Sequence, residues 1–142
     1  MKIRDLMTAN VSCCTPQATC EDAAKMMQQE NVGAIPVTEG KKLVGIVTDR
    51  DIVVNCVAKG THCAQTSVSS VMTRNPVTCS PETDAHEATH LMASEQIRRL
   101  PVVENGNIVG ICSLGDLAVV DIHVNEAGEA LSGISEQTHQ VH

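Results

Sequence analysis

The chain is an internal duplication. When the sequence is shifted by 65 residues, residues 7–52 lie on residues 72–117 without a gap, and 15 of the 46 aligned positions are identical. Seven of the other 31 positions pair one apolar residue with another. An ungapped match of this length indicates that one supersecondary unit is built twice in tandem. The identical stretches include Met7-Thr8 with Met72-Thr73 and Val44-Gly45-Ile46 with Val109-Gly110-Ile111.

Each copy contains the same predicted order of elements, β-α-β-β-α. A short extended run (11–14 and 77–79) precedes a helix, whose start in the first copy carries the capping-box pattern Thr19-x-x-Asp22. Two apolar runs on either side of a polar turn then predict a pair of strands, and a second helix follows. A proline lies in the first strand of each pair (Pro36 and Pro101), which favours an edge position. We therefore expect an α/β (α+β) fold of two tandem repeats.

The predicted boundaries follow the duplication. We assign residues 1–60 to the first repeat, 61–67 to a linker, 68–122 to the second repeat and 123–142 to a C-terminal helix and tail. Gly60 is well placed to end the second helix of the first repeat. Beyond the second repeat, apolar residues at helical spacing predict a short amphipathic helix that docks on the body or on a partner chain. They are Ala127, Ala130, Leu131 and Ile134.

Composition disfavours several classes of function. The 142 residues include no Trp, Tyr or Phe, so there is no aromatic platform for stacking nucleic-acid bases, and the net charge of −7 disfavours a duplex-binding surface. No apolar stretch approaches the roughly 18 residues of a membrane-spanning helix, and the N-terminus lacks the apolar run of a signal peptide. Seven cysteines without a C-x-x-C motif are typical of a reducing compartment. We expect a cytoplasmic protein that binds neither nucleic acid nor membrane.

Two motifs carry a resemblance to a known family. Residues 32–37 are Val-Gly-Ala-Ile-Pro-Val, and residues 45–52 are Gly-Ile-Val-Thr-Asp-Arg-Asp-Ile. Related patterns recur in order and at the same spacing in the second copy, so about residues 1–120 resemble a pair of CBS domains (a Bateman module) of the small stand-alone prokaryotic type. The resemblance implies repeats related by a pseudo-two-fold axis, a homodimer and a non-catalytic regulatory role. It also implies an adenosine-containing ligand in clefts between the repeats, AMP first, with ADP, ATP or S-adenosylmethionine as alternatives and no required cofactor.

The resemblance places a ribose-phosphate motif at the start of the second helix of each copy. It is Thr48-x-x-Asp51 in the first copy and Ser113-x-x-Asp116 in the second. A helix N-terminus offers unpaired N–H groups and a positive dipole end to a phosphate, and a carboxylate can accept hydrogen bonds from ribose hydroxyls. The same spacing is also an ordinary capping box, in which these residues have a structural role. Both interpretations stay open at the level of sequence.

The other residues implied by the resemblance surround this motif. In the family, the residues before each proline line the adenine pocket largely with backbone, the start of each repeat closes it, and basic residues reach the phosphates. Arg98 and Arg99 have no basic counterpart in the first copy, so we expect the second copy to be the main site, and a solvated or salt-bridged arginine pair is the alternative. The implied positions are Cys13, Ala34, Ile35, Pro36 and Arg50 in the first copy, and Thr78, Leu100 and Pro101 beside the two arginines in the second.

One motif suggests a metalloprotease and is set aside. Residues 86–90, His-Glu-Ala-Thr-His, match the zinc-protease pattern H-E-x-x-H. The extended form of that motif fails because Gln96 stands where its third histidine would be, and the duplication places the segment on a helix already explained. We assign no metal site and keep His86 and His90 as weak candidates.

The cysteines suggest a second chemistry. Cys56 and the neighbouring pair His62-Cys63 are candidates for a metal or redox cluster in the linker region. Cys13 or Cys14 would sense oxidation if the pKa of its thiol were lowered.

The function predicted from these patterns is a regulatory module and not an enzyme. Ligand occupancy would be passed to an unknown effector protein by linkage, since a ligand that favours one conformation shifts affinity for a partner. The alternative is an interaction or stress-associated CBS protein that binds no nucleotide, with metal binding as a further role.

Overall fold

The structure is a computed structural model, and it describes residues 1–118 of the chain. The C-terminal helix predicted around residues 127–134 lies outside the described residues. Short helical turns at Ile3–Asp5, Val53–Val57 and Val68–Ser70 accompany the main elements. In chain order these are β1 (Thr8–Ala9), α1 (Cys20–Glu30), β2 (Ala34–Glu39), β3 (Lys42–Thr48), α2 (Asp49–Ile52), β4 (Thr73–Arg74), α3 (Ala85–Glu95), β5 (Arg99–Glu104), β6 (Asn107–Ser113) and α4 (Leu114–Ala118). The predicted mixed α/β class is confirmed.

The long helix of each copy begins and ends at local signals. Thr19 caps α1 with the predicted capping box, in which the Asp22 N–H donates to the Thr19 hydroxyl oxygen (3.0 Å) and the Thr19 N–H donates to the Asp22 carboxylate (3.2 Å). Asp84 caps α3 in the second copy. Both helices end at a residue with left-handed backbone, Asn31 (φ 55°) and Gln96 (φ 58°), which stops helical propagation.

The predicted first strand of each copy is reduced to a single bridging residue. Cys14 forms an isolated parallel bridge to β2, and Cys79 forms one to β5. The Cys14 N–H donates to the Pro36 carbonyl oxygen (3.1 Å), and the Thr38 N–H donates to the Cys14 carbonyl oxygen (2.8 Å). The next hydrogen bond of a parallel ladder needs an N–H from Pro16, which has none, so the ladder stops. A proline also lies two residues after Cys79.

The chain divides into two compact units, each with its own hydrophobic core. The Thr48 unit comprises residues 11–76 and 106–108, and the Ser113 unit comprises residues 1–10, 77–105 and, in the described part, 109–118. Both cores consist of aliphatic, methionine and cysteine side chains. No helix within residues 1–118 is long and apolar enough to span a membrane.

The two copies exchange their leading segments. β1, from the start of the first copy, pairs antiparallel with β6 in the Ser113 unit. β4, from the start of the second copy, pairs antiparallel with β3 in the Thr48 unit. The exchange continues into the cores, since Ile3 is fully buried in the core of the Ser113 unit and Val68 in that of the Thr48 unit. Each unit therefore combines the body of one copy with the leading segment of the other.

A glycine in β3 and one in β6 permit this pairing. A Cβ at Gly110 would lie 2.8 Å from the Thr8 carbonyl oxygen and 2.8 Å from the Met7 sulfur. At Gly45, the corresponding distances to the Met72-Thr73 segment are 2.9 Å and 2.7 Å. These separations are shorter than van der Waals contact, so no other residue fits without moving the backbone. The repeated Met-Thr and Val-Gly-Ile sequences thus form one contact made twice.

Replacement of Gly110 by alanine is expected to lower the free energy of unfolding by about 1–3 kcal/mol, the usual cost of overpacking. The clash is with a backbone oxygen, which cannot rotate away as a side chain would. Urea denaturation followed by circular dichroism suits the measurement, because the chain has no Trp or Tyr for fluorescence.

Gly115→Ala is the matched control for this prediction. The nearest atom to a Cβ at Gly115 is the Ser113 hydroxyl oxygen, 3.6 Å away, and Gly115 lies in a helix, where alanine is favourable. Its stability is expected to stay the same or rise. An unfolding free energy of Gly110→Ala equal to that of the native chain would contradict the close approach.

Candidate functional site

The start of α2 in the Thr48 unit is a capping box. The Asp51 N–H donates to the Thr48 hydroxyl oxygen at 3.1 Å, and the Thr48 N–H donates to the Asp51 Oδ2 at 2.9 Å. Both side chains are half-buried. The structural role that the sequence left open is therefore confirmed at this helix.

The start of α4 in the Ser113 unit has the same geometry. The Ser113 N–H donates to the Asp116 Oδ2 at 2.8 Å, and the Asp116 N–H donates to the Ser113 hydroxyl oxygen at 3.1 Å. Within the described residues, each capping box uses one oxygen of its carboxylate, so Oδ1 of Asp51 and of Asp116 retains its capacity to accept a hydrogen bond. The capping role and a ribose-binding role are thus compatible.

The first backbone N–H of each helix is already paired. The Asp49 N–H donates to the Gly33 carbonyl oxygen at 2.9 Å, and the Leu114 N–H donates to the Arg98 carbonyl oxygen at 2.8 Å. These bonds hold the residue before β2 or β5 against the helix start. Arg98 is therefore fixed by its own backbone beside the Ser113 capping box.

The second backbone N–H of α2 and that of α4 have different partners. In the Thr48 unit, the Arg50 N–H donates to the carboxylate of Asp49 at 2.8 Å. In the Ser113 unit, Leu114 stands at the position of Asp49, and the Gly115 N–H has no side-chain acceptor among residues 1–118. A helix N-terminus binds an anion through such unpaired N–H groups. The Ser113 unit thus offers a donor that the Thr48 unit uses internally.

The residues before each proline contribute backbone and not side chains. The side chains of Ile35 and Leu100 are 1% and 0% exposed and belong to the hydrophobic cores. Ala34, which lies opposite Thr48 in the β2–β3 pairing, is also buried, as are Pro36 and Pro101. The implied adenine pocket would therefore be lined at these positions by main-chain atoms.

Cys13 and Thr78 lie directly before the bridging cysteines. Thr78 is exposed and Cys13 is half-buried. Burial raises the pKa of the Cys13 thiol, with a hydrogen bond to Thr38 acting in the opposite direction, and burial and nearby charges raise the pKa of Cys14 to about 11. The pKa of both thiols is raised, so the condition for oxidation sensing at Cys13 or Cys14, a lowered pKa, is not met.

The three candidate arginines have no acidic partners in the described part of the chain. Within residues 1–118, Arg98, Arg99 and Arg50 form no salt bridge and no side-chain hydrogen bond. Arg98 and Arg50 are exposed, and Arg99 is half-buried. The salt-bridged form of the alternative is therefore not found in the described part of the chain, whereas the solvated form fits the exposed Arg98. The guanidinium groups remain available for an anion.

The histidine pair of the H-E-x-x-H sequence lies on one face of α3. The Nε2 atoms of His86 and His90 are 3.0 Å apart, and the rings meet edge to face. Both residues are exposed. In the described part of the chain, no group of three His, Cys, Asp or Glu side chains is arranged to hold a metal ion.

Sequence reasoning missed two determinants of the site. One is Asp49, whose carboxylate takes an N–H that the matching Leu114 leaves open. The other is the carbonyl group of Gly33 or Arg98 at the first helical N–H. The signal for the first was present in the aligned copies as an acidic residue opposite an aliphatic one at the first helical position.

Comparisons with known proteins identify the family of the chain. The model of the CBS domain family matches residues 3–57 and 68–123. The CBS domain-containing protein YhcV of Bacillus subtilis (strain 168) is 47% identical over 135 residues, which cover 95% of this chain and 96% of that protein. Among solved structures, Hypoxic Response Protein I with two coordinated zinc ions has a TM-score of 0.78 at 29% identity, covering 84% of this chain and 98% of its own. CBSX2 in complex with AMP has a TM-score of 0.75 at 25% identity, covering 87% and 98%. The chain therefore belongs to the CBS domain family and carries two CBS domains in tandem.

Proposed function

We propose that this chain is a non-catalytic regulatory module that binds an adenosine phosphate, AMP first, at the helix start of the Ser113 unit. The observation that carries the proposal is the combination, at one helix start, of the Gly115 N–H without a side-chain acceptor and two arginines without acidic partners. A phosphate dianion needs both N–H donors and positive charge.

The ribose side of the ligand is supported by Asp116. Its Oδ2 caps α4, and its Oδ1 is an acceptor for a ribose hydroxyl. Because the same carboxylate is held by the backbone, it is positioned before the ligand arrives and little side-chain entropy is lost on binding.

Two observations support the binding of adenine: main-chain groups of β5 and the complex of a related protein with AMP. The main chain around Leu100 and Pro101 lies in the edge strand β5, and the Thr78-Cys79 segment runs beside it. Backbone N–H and carbonyl groups can distinguish adenine from other bases without aromatic stacking. CBSX2, which shares this fold, was crystallised with AMP.

The Thr48 unit is proposed to bind phosphate poorly. The Asp49 carboxylate takes the N–H that would face the phosphate, and it adds a negative charge beside that of Asp51. Arg50 is the one arginine at this helix start within the described residues, and it is exposed. One strong and one weak site per chain is the expected stoichiometry.

Signalling would follow from linkage. A ligand that binds one conformation of the module more tightly shifts the population toward it, and a partner protein that prefers that conformation then binds better. No bond in the ligand needs to break for this role.

Leu114→Asp tests the phosphate site. The change copies the first repeat, where an aspartate already starts the matching helix, so the fold tolerates it there. The new carboxylate would take the Gly115 N–H and repel the phosphate. We expect AMP affinity, measured by titration calorimetry, to fall at least about tenfold, the loss of one charge-assisted hydrogen bond.

Two controls separate the phosphate effect from general damage. Adenosine, which lacks the phosphate, should bind Leu114→Asp and the native chain equally. Asp49→Leu changes the matching position of the other unit and should leave the strong AMP site intact. If AMP binds neither the native chain nor Asp49→Leu, the interaction-protein alternative replaces this function.

A homodimer is also part of the proposal. The helical turn Val53–Val57, which follows α2, exposes three valines, Val53 (57%), Val54 (43%) and Val57 (58%). Clustered exposed apolar side chains on one helical segment are typical of a protein interface. A second copy of the chain, bringing the same face, would cover them.

Val57→Asp is expected to convert the dimer into a monomer, because a carboxylate would be buried without a partner in the interface. Light scattering after gel filtration gives the molar mass directly. Val32→Asp is the matched control, since Val32 is exposed (45%) at the end of α1 and outside this face. A native chain of monomeric mass would contradict the dimer, as would a Val57→Asp variant that stays dimeric.

A further inference from the structure

Two cysteines that the proposed function does not use lie in direct contact. The Sγ atoms of Cys56 and Cys63 are 3.1 Å apart. Cys56 lies in the helical turn Val53–Val57, and Cys63 lies in the connector between the two repeats. Both are free thiols. A disulfide requires a separation of about 2 Å, so a shift of about 1 Å in the sulfur positions would join them.

The surroundings of the pair act on its two thiols in opposite directions. The Thr61 hydroxyl lies 3.3 Å from the Cys56 sulfur and can donate to it. Hydrogen bonds from Thr61 and then from Cys63 lower the pKa of the Cys56 thiol, and the contact with Cys56 raises the pKa of Cys63. Either sulfur can donate in this contact, and the two pKa shifts favour Cys63 as the donor. The fully buried Cys56 is therefore suited to a second attack, on a disulfide formed at Cys63.

None of the cysteines outside the pair has a lowered pKa, although Cys20 also interacts with Cys56. Burial raises the pKa of Cys20, Cys14 and Cys79 to about 11 and that of Cys112 to about 12. The sequence had also suggested a metal cluster around Cys63. In the described part of the chain, no three His, Cys, Asp or Glu side chains form such a site. The contact between Cys56 and Cys63 therefore indicates disulfide formation and not metal binding.

We propose that Cys56 and Cys63 are a reversible disulfide site, closed by exchange with a small-molecule disulfide. Cys63 is half-buried and Cys56 is fully buried, so Cys63 is the thiol that a small disulfide can reach. Cys63 loses its proton and attacks one sulfur of that disulfide, which breaks the S–S bond and releases one small thiolate. The Cys56 thiolate then attacks the Cys63 sulfur of the mixed disulfide and releases the second. The protein loses two electrons, the small disulfide gains them, and the two cysteine protons pass to the released thiolates or to water.

The disulfide would link the connector covalently to the helical turn Val53–Val57 that follows α2. The connector already rests on the start of α1, where the Cys20 N–H donates to the Thr66 carbonyl oxygen (2.8 Å) and the Glu21 N–H donates to the Cys63 carbonyl oxygen (3.1 Å). These backbone hydrogen bonds do not involve the sulfur atoms, so closing the disulfide breaks neither of them and the oxidised chain is expected to keep its fold. Closing this short loop is expected to raise the melting temperature by about 5 °C.

Tryptic mapping of the intact chain tests the proposal. After incubation with oxidised glutathione, the remaining thiols are alkylated and the protein is digested without reductant. Trypsin cuts after Arg50, Lys59 and Arg74, so Cys56 and Cys63 fall on separate peptides, 51–59 and 60–74, with one cysteine each. We expect these two peptides to be joined and the other five of the seven cysteines to be alkylated.

Two variants complete the experiment. Cys63→Ser should retain all six of its thiols after the same treatment, apart from adducts that dithiothreitol removes. Cys112→Val is the control, because it also removes one thiol and copies the matching Val47, and it should still form the link. Full alkylation of the native chain, or a link between any other two cysteines, would overturn the proposal.

Discussion

The structure depends on a close approach between a leading strand and a glycine in a central strand. The Thr8 carbonyl oxygen lies 2.8 Å from the position that a Cβ of Gly110 would occupy, and Thr73 approaches Gly45 in the same way. Because each glycine allows that approach, the leading segments add a strand and a buried residue, Ile3 or Val68, to the units. Because the chain has no large aromatic side chains to fill its cores, close packing of backbone and small side chains has to fill them instead.

The duplication produced two similar helix starts with different chemistry. Each has a capping box of the same geometry, so local stability is provided twice. The two copies differ at the first helical position, which is Asp49 in one and Leu114 in the other. The Asp49 carboxylate accepts the hydrogen bond of the next backbone N–H, whereas Leu114 has no acceptor for it. The arginines beside Leu114 have the complementary charge for an anion. These differences are the basis for proposing that the Ser113 unit binds a phosphate and that the acidic residue in the Thr48 unit opposes it.

Local chemistry made much of the fold predictable. The capping box at Thr19 and the edge strands marked by Pro36 and Pro101 depend on neighbouring residues alone, and the structure has them. The exchanged strands could not be predicted, because Met7-Thr8 and Met72-Thr73 are identical and either fits either glycine. Pro16 shortened the first strand by removing one N–H, an effect visible only once its pairing partner is known. The contact of Cys56 with Cys63 depends on how the connector folds back, which residue spacing does not specify.

Absorption spectroscopy of the freshly purified chain tests the central claim most directly. Without Trp or Tyr, the protein contributes almost no absorbance in the band where purines absorb, so the absorbance there reports the bound nucleotide. After incubation with AMP and gel filtration, the account predicts a purine band that travels with the native chain, with AMP identified by mass spectrometry after release. A native chain that elutes without that band, and that shows no heat of binding when titrated with AMP, would contradict it.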